Sequence, residues 1–272
     1  MPELPEVETT VRGLEKVLDG QVIRRVELRR ADLRRAFPDD LGQRLTGARV
    51  TGLSRRAKYG LIATDRGDTM IFHLGMSGRW RIDPVEIGAH DHLLIKTGEG
   101  RVLSLNDPRR FGSVDLVATE ALGEWPAFKA LGPEPIGGGV DGTWLKARLA
   151  GRKAAIKLML LDQRIVAGLG NIYVCEALFR ARIEPRKAAG KVSRATLNLL
   201  AQMIEAVLEE AIAAGGSSLR DFASPNGELG YFSKQFDVYD RESQPCRGSC
   251  DGLVRRIVQG GRSTFHCPAC QR

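Results

Sequence analysis

Apolar residues recur at helical spacing directly behind Pro5. Val7, Val11, Leu14 and Leu18 share one face, and Glu6 and Glu8 fall in the first turn, where acids complement the helix dipole. From Gln21 to about Val117 the period shortens. VIRRVEL, ARVTGLSRR, YGLIATD, TMIFHLG, HLLIKTG, RVLSLND and GSVDLVA are short β-type runs separated by Gly, Asp and Pro, a texture that predicts a sandwich or barrel. Residues 123–142 are rich in Gly and Pro and read as a linker. Beyond Thr143 the helical period returns in WLKARLAG, KAAIKLMLLDQ and IYVCEALFRARI, with the glycine-punctuated turn AGLGN between the last two. Ser193 is placed to cap a long helix with Leu197, Leu200, Ala201, Ile204, Leu208 and Ala211 on one face, ending at Gly215-Gly216. The expected fold is therefore α+β, without internal repeats: a β-rich domain over 1–125 that begins with a helix, a linker over 126–142, a helical domain over 143–236 and a small module over 237–272.

That last module holds four of the five cysteines. Cys246-x3-Cys250 and Cys267-x2-Cys270 set two thiolate pairs on separate turns, so that four sulfurs can surround one tetrahedral zinc. Between them, LVRRIV and RSTFHC can form a β-hairpin around Gln259-Gly260-Gly261. So short a segment has no core of its own, and zinc would supply its folding energy. The expected metal is one structural Zn2+, because four thiolates leave no open coordination position. An odd cysteine count with four at metal spacing argues against a secreted disulfide scaffold.

Charge sharpens the picture. The net charge is +8 and unevenly spread: residues 21–60 carry eleven bases against four acids, and residues 241–272 six arginines against two acids. Clustered cations suit a polyanion, since each neutralised phosphate releases counterions, although a merely soluble basic surface has the same composition. No stretch approaches the roughly 18 uninterrupted apolar residues of a membrane span. The acidic N-terminus, MPELPEVETT, lacks the layout of a secretory signal, so an intracellular protein with no membrane partner is expected.

Five segments go further: Pro2-Glu3-Leu4-Pro5-Glu6, Arg56-Ala57-Lys58-Tyr59-Gly60, His73-Leu74-Gly75-Met76-Ser77-Gly78, Asp107-Pro108-Arg109-Arg110-Phe111-Gly112 and Gly168-Leu169-Gly170-Asn171-Ile172-Tyr173. In this order, and with the terminal cysteine module, they resemble the formamidopyrimidine-DNA glycosylases over essentially the whole chain. Leu4 stands where the endonuclease VIII branch of the superfamily has glycine, which favours purine repair. The three-residue gap between Cys246 and Cys250 departs from the family's usual two, and tetrahedral zinc accommodates either.

The resemblance implies a β-sandwich-like domain, a helix-two-turn-helix domain with a lesion-recognition loop at Gly216–Tyr231, and a zinc ribbon. It implies a bifunctional glycosylase/AP lyase that excises oxidised purines (8-oxoguanine, formamidopyrimidines) from duplex DNA and cleaves the strand by β,δ-elimination. Removal of Met1 would leave Pro2 a secondary amine titrating around pH 8, able to attack the sugar C1′ and form an iminium. Glu3 would move protons beside it, Lys58 would donate a proton or anchor phosphate during β-elimination, and Arg262 would assist δ-elimination. Met76, Arg109 and Phe111 would fill the hole left by a flipped-out base, with Arg109 facing the orphaned partner. His73, His90, Arg109, Arg152 and Asn171 would contact phosphate, Asn171 at a helix N-terminus. Taken alone, Pro2 is a helix-start residue, Lys58 a solvated lysine, and Met76 and Phe111 core residues. Glu6 is either a second carboxylate of the site or a first-turn acid.

Two other functions fit part of this pattern. An endonuclease VIII-type pyrimidine glycosylase conflicts with Leu4 and the Met76/Arg109/Phe111 set. A non-catalytic zinc-ribbon DNA-binding protein leaves Pro2-Glu3 and Lys58 unexplained. The expected partner is double-stranded DNA with oxidised bases or abasic sites, bound by a monomer in a bacterial-type cytoplasm and on the nucleoid while bound.

Overall fold

The computed structural model describes residues 1–218 and 223–272, folded as two compact units. The first comprises residues 1–129 with 214–231, the second residues 130–213 with 232–272.

In the first unit the helices are α1 (Leu4–Leu18), α2 (Leu41–Leu45) and α3 (Pro126–Lys129). The strands are β1 (Ile23–Leu28), β2 (Val50–Arg56), β3 (Tyr59–Thr64), β4 (Asp68–His73), β5 (Arg79–Ile82), β6 (Asp91–Thr97), β7 (Val102–Asn106) and β8 (Ser113–Ala118). They make two four-stranded sheets, β1-β6-β7-β5 and β2-β3-β4-β8, with every pairing antiparallel. Ile23, Leu93, Ile95, Leu103 and Leu105 from one sheet meet Val50, Ile62, Met70, Phe72 and Val114 from the other in one buried cluster. Phe72 reaches Trp80 across it, edge-on, with ring centroids 5.6 Å apart. Alternating inward residues from two facing sheets define a sandwich. The face of α1 expected from periodicity, Val7, Val11, Leu14 and Leu18, is buried in the same cluster.

The seven β-type runs became β1–β4 and β6–β8. Strand β5 went unread because RWRI sets one buried tryptophan between two arginines, which offers too few apolar positions for a period to show. The described residues at the two ends of 214–231, a stretch the sequence reading set in the helical domain, make their contacts with the first unit. The Ser217 N–H donates to Glu6 Oε1 at 2.8 Å, and the Ile82 N–H donates to the Pro225 carbonyl at 3.0 Å.

The second unit contains α4 (Gly142–Leu149), α5 (Ile156–Leu160), α6 (Asn171–Arg180), α7 (Arg194–Ala213) and the hairpin β9 (Arg255–Gln259) with β10 (Arg262–His266). The α7 cap is as expected: Ser193 Oγ accepts from the Thr196 N–H at 3.1 Å. The run KAAIKLMLLDQ yields only the five residues of α5. Its first three residues lie outside the helix, because Ala155 bridges to Ala188 and the Ala189 N–H donates to the Ala154 carbonyl at 2.9 Å.

Candidate active site

Residues Pro2 to Val7 are buried, behind an exposed Met1. Pro2 lies under the surface, Glu3 is 3% exposed and Glu6 2% exposed, unusual burial for acids at the start of a chain. Glu3 is the N-cap of α1, with Pro5 in the first turn. The Glu6 carboxylate is a cross-brace: Oε2 accepts from the Glu3 N–H at 2.8 Å, and Oε1 accepts from Ser217. Between the two sequence readings of Glu6, this geometry adds a third duty, joining the head of α1 to the segment 214–231. That segment is pinched at its stem by a Ser217–Tyr231 bridge and by the Gly230 N–H donating to Ser218 Oγ at 2.8 Å. Within the recognition loop expected at Gly216–Tyr231, Leu219, Arg220, Asp221 and Phe222 lie outside the described residues.

Lys58 sits in the two-residue turn between β2 and β3, yet is only 7% exposed. Its neighbour Ala57 takes φ +53°, a left-handed conformation that costs a β-carbon about 1 kcal/mol or more and is concentrated at functional sites. Arg55 fixes the turn to the helix, donating from Nε to Glu8 Oε2 (3.0 Å) and from a terminal nitrogen to the Ala57 carbonyl (2.9 Å). His73 pairs with Tyr59 in register, rings 4.9 Å apart. Burial, and then the positive charges of Lys58, Arg34 and Arg35, push its pKa down to about 4, so the ring is neutral at physiological pH. Nδ1 accepts from the Gly75 N–H at 3.0 Å, which assigns the proton to Nε2. His73 therefore offers a neutral donor.

Met76 and Phe111, expected to fill the DNA stack, are 36% and 45% exposed on two loops of the sandwich, and the exposed Arg109 guanidinium lies 4.8 Å from the centre of the Phe111 ring. His90 is exposed at the start of β6. His92, given no role by sequence, is buried and donates from Nε2 to the Asp107 carbonyl at 3.0 Å.

Arg152, Asn171, Arg262 and the four ribbon cysteines belong to the second unit. Arg262 is exposed at the first position after the Gly260-Gly261 turn, whose glycines both have positive φ. Arg152 is exposed in the turn after α4. The Asn171 side chain is engaged inside its unit: Oδ1 accepts from Lys157 Nζ at 2.7 Å, and Nδ2 donates to the Ser263 carbonyl at 2.9 Å. Sequence reading passed over Lys157, which is fully buried and also donates to Thr264 Oγ1 (2.7 Å) and the Ser263 carbonyl (3.1 Å). Its signal was a cation inside the apolar run AAIKLMLL, where a lysine needs acceptors to be tolerated. Together Lys157 and Asn171 tie the start of α6 to β10.

The four cysteine sulfurs lie within 4.8 Å of one another and form no disulfide. Cys246–Cys270 and Cys250–Cys267 separations of 3.7 and 3.6 Å approach the roughly 3.8 Å edge of a tetrahedron with Zn–S bonds near 2.3 Å. Gly248 and Gly252 make the room: a β-carbon would stand 3.2 Å from Cys270 Sγ at the first and 2.9 Å from Cys267 Sγ at the second. The cluster can hold a metal ion, and the residues fit one.

Known proteins resemble the chain over its whole length. The formamidopyrimidine-DNA glycosylase N-terminal domain matches residues 1–114 and the formamidopyrimidine-DNA glycosylase H2TH domain residues 131–223. The formamidopyrimidine-DNA glycosylases of Novosphingobium aromaticivorans and Rhizorhabdus wittichii are 71% and 65% identical, each over the full length of both chains. The Lactococcus lactis Fpg in complex with abasic-site DNA superposes with a TM-score of 0.92 at 35% identity, covering 100% of both chains. The MutM (Fpg) protein of Thermus thermophilus gives 0.89 at 37% identity, over 99% of this chain and 98% of the other.

Proposed function

The chain belongs to the formamidopyrimidine-DNA glycosylase family, and from that premise we propose that it excises oxidised purines from duplex DNA through an iminium on Pro2 and then cleaves the strand. It is a DNA repair glycosylase, and AP lyase activity is general to its family. One observation carries the assignment of the chemistry: Pro2 is buried beside two buried carboxylates at the head of α1.

While Met1 is attached, the Pro2 nitrogen is an amide and inert. Once it is removed, the secondary amine attacks C1′ of the damaged nucleoside, the C1′–N bond breaks, and the base leaves with a proton. Ring opening gives an iminium that withdraws electrons, so loss of a C2′ proton expels the 3′ phosphate and a further elimination expels the 5′ phosphate. Glu3 supplies and accepts protons at the sugar oxygen, and Glu6 holds the Glu3 backbone in place. Lys58 serves the elimination steps, and Arg262 binds the departing phosphate. Met76, Arg109 and Phe111 occupy the gap left by the everted base, while His73, His90, Arg152 and the start of α6 at Asn171 bind backbone phosphates.

The four cysteines would hold one structural zinc, which would supply folding energy to so short a ribbon. We assign the active form to a monomer on DNA in the bacterial cytoplasm. Among the described residues no helix is long and apolar enough to cross a membrane.

Borohydride trapping on an abasic duplex is the test. Protein with a free Pro2 terminus, verified by intact mass, should become covalently joined to DNA. Protein retaining Met1 should not, and equal trapping by both would remove Pro2 from the mechanism.

A further inference from the structure

We propose that Asp107 is a positioning residue that clamps the Met76 loop and the Arg109–Phe111 loop into a single wedge, and that this clamp sets how strictly the enzyme judges the base opposite the lesion. The inference rests on the DNA-repair reading above.

Asp107 opens the segment between β7 and β8. It is fully buried, whereas the next four residues are exposed. Its carboxylate is spent on the two loops. Oδ1 accepts from Ser77 Oγ at 2.7 Å, and Oδ2 accepts from the Gly112 N–H at 2.8 Å. Ser77 Oγ in turn accepts from the Arg109 N–H at 3.2 Å, so the hydroxyl relays the carboxylate to the residue expected to face the orphaned base. The Asp107 backbone is equally committed, donating to the His90 carbonyl at 2.9 Å and accepting from the Arg110 N–H at 3.1 Å. None of these carboxylate partners is a cation. Hydrogen bonds, not an ion pair, compensate the burial of this charge, which is otherwise costly.

The loops also touch backbone to backbone. Gly75 has φ +61°, and a β-carbon there would stand 2.3 Å from the Phe111 carbonyl carbon. Arg110 is itself held at φ +58°. The residue before Met76 thus lies against the backbone of Phe111, and the carboxylate fixes both sides of that contact. Two apolar side chains held partly in solvent, with a guanidinium over one ring, make a preorganised probe only if their backbones do not drift.

Two variants test the clamp. Ser77→Ala removes the relay to Arg109 and leaves the carboxylate. Asp107→Asn keeps the shape but replaces one acceptor with a donor. In both, the ratio of 8-oxoguanine excision opposite cytosine to excision opposite adenine should fall roughly three- to tenfold, the effect of losing one hydrogen bond. KM on damaged duplex should rise, while cleavage of a pre-formed abasic site should change far less, because it requires no base extrusion. A merely structural residue would scale both substrates together, so an unchanged opposite-base ratio in both variants would overturn the clamp. Wild-type enzyme that neither excises 8-oxoguanine nor traps on abasic DNA would instead overturn the functional reading beneath it.

Discussion

The head of α1 and the hairpin of the ribbon face the same physical problem and answer it differently. On the proposed reading, each must hold a short stretch of chain rigid at a site of chemistry or contact. The head of α1 does so with titratable groups inside a large apolar unit: Glu6 braces Glu3 and Ser217, and Arg55 ties the Lys58 turn to Glu8. The ribbon buries little of its own, Val254 and Phe265, and its hairpin is held by sulfurs placed for a metal and by the Lys157 ammonium, which donates to Ser263 and Thr264 of β10. A proton-transfer site needs groups that can change charge during turnover. A phosphate grip needs charge that stays fixed.

That contrast predicts that the two ends fail differently, and Glu3→Gln should give the largest effect. Glutamine keeps an acceptor at the N-cap but cannot ionise, so base excision should drop about 10²- to 10⁴-fold. Affinity for damaged duplex and its dependence on salt should stay near wild type, because no positive charge is lost. Single-turnover excision and salt-dependent binding together check this. If affinity falls as far as rate, Glu3 is a helix cap and the proton-transfer role goes elsewhere.

Next in size is Cys267→Ser, or chelation of the wild type. Cys267 is fully buried in the sulfur cluster. Its loss should release zinc and unfold the ribbon, weakening DNA binding by about tenfold or more and lowering the salt slope by about one unit for each phosphate that is no longer neutralised. At saturating abasic DNA, imine trapping should persist, because the head of α1 belongs to the other unit. An active preparation without zinc in a metal assay would break the comparison at this end.

How much of this was legible in sequence follows the same division. The ribbon was readable outright, since ligand spacing is one-dimensional: Cys246, Cys250, Cys267 and Cys270 come together as their intervals imply. Strong periods were readable too, hence α1, α7 and seven of the eight sandwich strands. Strand β5 was hidden by its charge. What periodicity could not reveal were bonds between residues far apart in the chain. Nothing in Glu6 announces Ser217, nothing in Lys157 announces Ser263 and Thr264, and Asp107 stands in a motif whose arginines draw attention from its carboxylate. Contacts of the segment that follows α7 were hidden for the same reason: Ser217 meets Glu6 and Pro225 meets Ile82, neither of them near in sequence.

The smallest expected effect belongs to His73, an imidazole in the titratable unit that should nevertheless behave like a fixed donor. Burial, with the charges of Lys58, Arg34 and Arg35 around it, puts its folded pKa at about 4, against an ordinary value of 6.5. Between those values the unfolded chain binds more protons than the folded one, so stability rises with pH through that window. It is fully present above about pH 6.5, is lost as pH falls toward 4, and levels off below. His73→Gln should flatten this segment of the stability–pH curve measured by denaturant unfolding, while the wild type keeps the steeper slope. The same neutrality means that the proposed Nε2–H contact to phosphate should not titrate between about pH 5.5 and 8. Wild type and His73→Gln should therefore differ in DNA affinity by a constant factor across that range. A difference that grows on acidification would show that His73 binds as an imidazolium, and would place it with the groups whose charge changes during turnover.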